Sequence, residues 1–141
     1  MTLTLSDEAR RYIALFDEET DVPAVDCVLD DEYDRAAFVV PVGTMGQAIG
    51  PGGEHVRSVE SKLGRDVVVV EDADTPEDFV ANALAPAAVY NVTVSENDTT
   101  VAYAEVDRED HGVAIGKDGR RIDLARRLAA RHFDIDDIEL A

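Results

Sequence analysis

The spacing of its glycines is the part of this chain that could do chemistry. Gly46-Gln47-Ala48-Ile49-Gly50-Pro51-Gly52-Gly53 returns 66 positions later as Gly112-Val113-Ala114-Ile115-Gly116-Lys117-Asp118-Gly119. Missing side chains let an anion come close to the main chain. A helix that starts at such a loop attracts negative charge through its unpaired N–H groups and its dipole. The chemistry expected of Gly50, Pro51, Gly52 and Gly53, and of Gly116, Lys117, Asp118 and Gly119, is the holding of phosphate groups. That implies no bond-making step, no enzyme activity and no cofactor. The second copy carries Lys117, Arg120 and Arg121 among and just after its glycines. The first has Pro51 and Gly52 at the variable positions, with His55 and Arg57 as the nearest positive side chains, so weaker phosphate attraction is expected there.

Catalytic and metal-binding readings fail on the same residues. His111 stands where a nucleotide-binding phosphate loop needs its first glycine, and Asp118 replaces the Ser or Thr required after the lysine. Neither loop has the preceding strand and third glycine of a dinucleotide fold. His55, His111 and His132 lack a short ligand spacing, and Cys27 is the only cysteine, which leaves no zinc cluster and no intrachain disulfide. Cys27 lies in an apolar run and reads as a buried structural thiol. The acidic strings at 18–21 and 134–137 lack the order of a calcium loop and read as solvated faces.

The elements that must position the loops follow from changes of period. Ala9, Ile13 and Phe16 share a helical face, which predicts a helix over 6–19 with Ser6 as its cap. Strands are expected at 24–29 and 35–42, a short helix at 44–49, a helix at 53–63 stopped by Gly64, and a strand at 65–71. Thr75-Pro76 then opens a second round: helix 76–84, strands 88–95 and 99–106, a short helix 108–115, a helix 119–132, and a last strand from Phe133 to Leu140. Val56 and Val59 match Ile122 and Ala125 on the buried faces of the two longer helices. Each round is helix, strand, strand, helix, glycine loop, helix, strand. The units are drawn at 1–72 and 73–141. Domains of about 70 residues bury little surface alone, so the two are expected to pack together as one rigid body.

Charge argues against a phosphate partner only when it is summed. Asp plus Glu number 31 against 13 Lys plus Arg, for a formal charge of -18. Yet within 116–132, Lys117, Arg120, Arg121, Arg126, Arg127 and Arg131 face only Asp118 and Asp123. The acidic, lysine-poor coat is similar to that of proteins from salt-loving archaea, where strong screening shortens repulsion to a few ångströms. No run approaches the length of a membrane helix, and the N-terminus lacks the basic start of a signal peptide, so a soluble, cytoplasmic protein is expected.

Two Gly-x-x-Gly loops between helices, each preceded by isoleucine, resemble the signature of KH domains. The leading helix and strand resemble their type II arrangement. Over nearly the whole chain, the tandem resembles the short archaeal NusA-like transcription termination factors. The resemblance implies an α/β (α+β) fold of two tandem type II KH domains, each a small mixed three-stranded sheet packed against helices. It implies binding of single-stranded RNA in two grooves, each taking about four nucleotides. The RNA-binding residues are then Ile49, Gly50, Pro51, Gly52, Gly53 and Arg57 in the first unit. In the second they are Ile115, Gly116, Lys117, Asp118, Gly119, Arg120 and Arg121. Ile115 is expected to support its groove from the core, Lys117 to contact phosphate, and Arg120 and Arg121 to reach neighbouring phosphates or bases. Asp118 is expected chiefly to cap the next helix, since its carboxylate would repel phosphate. The alternative is a KH-fold protein-interaction module whose acidic faces dock on RNA polymerase or a ribonucleoprotein, with little direct RNA binding.

Overall fold

The computed structural model describes residues 3–141. Ser6 opens the first helix, its hydroxyl accepting the Ala9 amide at 3.1 Å. This helix, α1 (Asp7–Thr20), stops where Asp21 turns left-handed at φ 60° and returns its N–H to the Asp17 carbonyl. Strand β1 (Asp26–Asp30) pairs antiparallel with β2 (Arg35–Val40), and β2 pairs in parallel with β3 (Asp66–Glu71). A parallel pair needs a crossover, and α2 (Met45–Ile49), the glycine loop and α3 (Glu54–Leu63) supply it. Sheet geometry thus obliges the loop to sit between two helices.

Alternation along β2 turns Ala36, Phe38 and Val40 toward the helices, where they meet Ala9, Phe16, Ala48 and Val59 in the core. Phe16 and Phe38 stack with ring centroids 4.4 Å apart. Cys27 is buried in the same cluster as a free thiol. At the base of the β1–β2 hairpin, Arg35 Nε donates to Asp30 at 2.8 Å with both side chains buried, so neither charge is left unpaired in low dielectric. Glu19 ties α1 to α3, accepting from Ser58 Oγ at 2.6 Å and from Lys62 Nζ at 3.0 Å. Those bonds, the Ser58 hydroxyl foremost, hold the Glu19 carboxyl below its usual pKa.

The second unit repeats this plan, and internal contacts divide the described chain between Asp72 and Ala73. Thr75 Oγ1 accepts the Asp78 amide at 3.2 Å ahead of α4 (Pro76–Leu84). Strands β4 (Val89–Glu96), β5 (Thr100–Val106) and β6 (Asp137–Leu140) lie in that order, antiparallel and then parallel. Between β5 and β6 come α5 (His111–Ile115), the second loop and α6 (Arg120–Phe133). Phe79, Leu84, Leu124, Leu128 and Ile138 are fully buried where α4 and α6 pack on each other and on the sheet.

Two boundaries differ from the sequence reading by more than two residues. Residues 108–115 split into a single 3-10 turn, Arg108–Asp110, and α5, because the Asp107 carboxylate accepts the Glu109 amide and starts the turn. The last strand begins at Asp137, not Phe133. Phe133 stays helical with its ring 5.2 Å from that of Phe79, and Asp134 ends α6 at φ 55°. Asp136 then accepts the Thr100 amide at 2.7 Å and sets the register of the short strand.

Candidate nucleic-acid interface

Both loops leave their short helix by the same backbone path. Gly50 stands at φ 77°, ψ 170° and Gly116 at φ 79°, ψ 171°, a region essentially restricted to glycine. Each donates its amide one turn back at 2.9 Å, Gly50 to Gly46 and Gly116 to Gly112. The next two turning residues are left-handed in both copies: Gly52 (61°, 21°) and Gly53 (79°, 16°), Asp118 (56°, 25°) and Gly119 (76°, 13°). Gly53 closes the turn on the Gly50 carbonyl at 3.0 Å, and Gly119 on Gly116 at 3.1 Å. The backbone is therefore kept while the side chains at the two variable positions change.

That closure decides which donors a phosphate can use. The amides of Gly50 and Gly53 are engaged within the chain, and the N–H of Glu54 is bonded to the Pro51 carbonyl. Pro51 has no N–H, so Gly52 is the loop amide the first unit has to offer. The second unit has two, those of Lys117 and Asp118, because Gly116 and Gly119 are engaged in the same way.

The side chains around the loops depart from the sequence reading in two places. Asp118 does not cap α6, whose N-cap Gly119 leaves no side-chain cap bond. It takes the left-handed turn position and pairs with Arg120 at 3.7 Å, because Asp is among the few side chains that tolerate that conformation. Ile115 does not support its groove from the core. It is 43% exposed, and Ile49 is 37% exposed, whereas Ala48 and Ala114 are the buried residues of the two short helices. In these short helices the core takes the alanine, and the isoleucine about 100° further round is left half-exposed at the loop. His55 is tied into the first loop: its Nδ1 lies 2.7 Å from the Gln47 carbonyl, and its ring sits directly under Gly50. Arg57 donates to the Gly52 carbonyl and so holds a guanidinium at the loop that lacks a lysine. The matching position of the second unit is Asp123, where the cation comes instead from the exposed Lys117.

One pair of residues escaped the sequence reading. Glu60 and Arg126 each lie seven residues past the last loop glycine, and both reach the edge strand of their own sheet. Glu60 accepts the Val67 amide at 3.0 Å. Arg126 donates to the Ile138 carbonyl at 3.1 Å and pairs with Asp137 at 2.8 Å. The shared offset was visible, but the strand partner was not. Beside Glu60, the 490 Å³ cleft lined by Tyr33, Arg57, Glu60, Ser61, Arg65 and Asp66 runs along α3. Arg65 is held by Asp31 at 2.6 Å and Asp34 at 3.1 Å. The Asp31 bond above all raises its pKa. Among the described residues no group of His, Cys, Asp or Glu could hold a metal ion, and no helix is long and apolar enough to cross a membrane.

Sequence comparison agrees with this architecture. The profile of the NusA-like second KH domain matches residues 76–141, and that of the KH domain matches residues 10–99. A protein of Halobacterium salinarum named "Probable transcription termination protein NusA" is 68% identical over 99% of each chain. One of the same name from Methanocaldococcus jannaschii is 34% identical over 96% of this chain and 74% of its own. The crystal structure of APE1850 superposes with a TM-score of 0.87 at 30% identity, covering 97% of this chain and 100% of that one. A duplicated helix–glycine loop–helix on two mixed sheets, with relatives this similar over nearly all of this chain, makes the chain a member of the NusA-like family of KH-domain proteins.

Proposed function

We propose that this protein binds single-stranded RNA through both glycine loops and thereby modulates transcription termination or elongation. The observation that carries the reading is the loop backbone itself, kept within a few degrees in two copies whose variable residues are Pro-Gly in one and Lys-Asp in the other. Selection for a backbone shape fits a ligand that is recognised by the backbone, as a sugar-phosphate chain is. Phosphate meets the loop at the start of α3 or α6, where the helix dipole favours it. Exposed Ile49 and Ile115 offer an apolar floor for bases. Lys117, Arg120 and Arg121 favour the second unit, while Arg57 alone serves the first, so the second loop contributes more of the affinity. Extended RNA held this way cannot enter a competing hairpin, which gives a route to altered termination without any chemical step.

A second reading, a protein-interaction module docking on RNA polymerase or a ribonucleoprotein, draws on the charge of -18. The two combine if transcript and polymerase use different faces. The test is a reconstituted transcription reaction in high potassium chloride. Wild type is expected to change termination at defined sites, and the Lys117→Asp variant to lose most of that change. An unchanged termination pattern at protein concentrations that saturate RNA would refute the proposed function. A full effect in variants that no longer bind RNA would favour the docking module.

A further inference from the structure

We infer that the edge strand β4 docks an extended segment of a basic protein, which pairs with β4 as a further strand and sets a lysine or arginine against Glu77 and Asp78. Four strands lie at sheet edges, β1, β3, β4 and β6, and an open edge offers unpaired N–H and C=O groups to any extended chain. Three of the four are obstructed by a carboxylate that takes a strand amide. Asp26 takes that of Cys27 at 2.9 Å, Glu60 that of Val67 at 3.0 Å, and Asp137 that of Ile138 at 2.8 Å. Strand β1 is also short, with buried Asp26 and Asp30 at its ends. Strand β4 has none of these devices. It runs for eight residues, and from Val89 to Ser95 it carries neither charge nor proline. Among the described residues no side chain takes one of its amides. It lies at the opposite edge of its sheet from β6, the strand that Arg126 reaches.

The chemistry beside this edge selects the occupant. Between α4 and β4 lies a cleft of about 180 Å³ whose lining includes Glu77, Asp78, Tyr90 and Val92. That is below the ~300–1,000 Å³ of small-molecule sites and leaves room for one long side chain. Glu77 and Asp78 supply negative charge and acceptors to it. Tyr90 is 70% exposed, and its hydroxyl donates to Asp107 at 2.7 Å, which holds the ring as a face for a cation. Asp110 adds to the negative field at the head of the strand, where it accepts the Ala88 amide at 2.7 Å. A second copy of this chain brings the same acidic edge and a charge of -18, so pairing of β4 with itself is opposed. A basic extended segment meets both demands, with main-chain pairing for affinity and alternate side chains for specificity.

The test is amide-resolved NMR of the full-length protein in high potassium chloride, titrated with a pool of short peptides that alternate lysine or arginine with valine or threonine. Saturable binding is expected, with shifts centred on β4 and slower hydrogen exchange at alternate amides between Val89 and Ser95. Peptides with glutamate in place of the basic residues should not bind, and N-methylation of the basic peptides' own amides should abolish binding. The Glu77→Gln, Asp78→Asn double variant is neutral at the cleft and keeps the Thr75 cap. It should bind the peptides about tenfold more weakly, the effect of losing a charged acceptor, with its melting temperature little changed. Lys117→Asp, which alters the second glycine loop, should bind them as wild type does. Absence of any β4 response across the pool, equal binding of the glutamate peptides, or unchanged binding after N-methylation would overturn the inference. So would protection of the β4 amides in peptide-free protein that is lost on dilution, since the edge would then be taken by a second copy of the chain.

Discussion

Single residues fix the loops by conformation more than by charge. A Cβ at Gly116 would lie 2.8 Å from the Arg121 backbone nitrogen, and one at Gly50 would lie 2.5 Å from the His55 ring. Both positions also demand a backbone that side chains avoid, so Gly116→Ala is expected to cost about 1–3 kcal/mol or more in chemical unfolding. Gly52 differs, since nothing lies within 4 Å of its would-be Cβ and Asp118 already occupies the matching turn at φ 56°. Gly52→Asp should therefore unfold within about 1 kcal/mol of wild type while weakening RNA binding by the first unit. Glycine spacing was readable in sequence because only one residue type fits such a path. The Asp118 role was not, because capping and the left-handed turn draw on the same short carboxylate. Glu60 and Arg126 were hidden for another reason: their partners are edge-strand groups set by sheet pairing, which no local pattern encodes.

At the scale of elements, helices and strands followed from periodicity, and the misplaced ends are where tertiary contacts override it. Phe133 and Ile135 alternate as a strand would, yet Phe133 completes α6 because Phe79 on α4 is there to receive its ring. The Glu19 tether between α1 and α3 gives this level a pH signature. Its carboxyl is held low, first by the Ser58 hydroxyl and then by Lys62. A group depressed in the folded state adds stability that is fully present above its unfolded pKa and is lost as pH falls through the folded value. Glu19→Gln should accordingly be less stable than wild type at neutral pH, and the gap should close in acid. Urea unfolding of both proteins across a pH series at constant potassium chloride measures this, and a gap independent of pH would contradict it.

Over the whole molecule, the charge of -18 sets the conditions under which the loops can work. Long-range repulsion of RNA is screened within ~3 Å at 1 M salt, while close contacts survive better. Binding should fall less with added salt than it does for a basic RNA-binding protein, with a rise at first as repulsion is screened. A salt titration limited to conditions where folding is intact measures this, and a steep monotonic loss from the lowest such salt would oppose it. The most direct measurement is anisotropy of single-stranded RNA in high potassium chloride with wild type, with Lys117→Asp, with the Pro51→Asp, Gly52→Asp double variant, and with all three changes combined. Each set spares Gly50 and Gly116, so the fold is retained. Binding by loops of shared geometry predicts saturable wild-type binding, a larger loss for Lys117→Asp than for the first-loop variant, and loss of nearly all binding when both loops are changed. Undiminished affinity in the combined variant would contradict it.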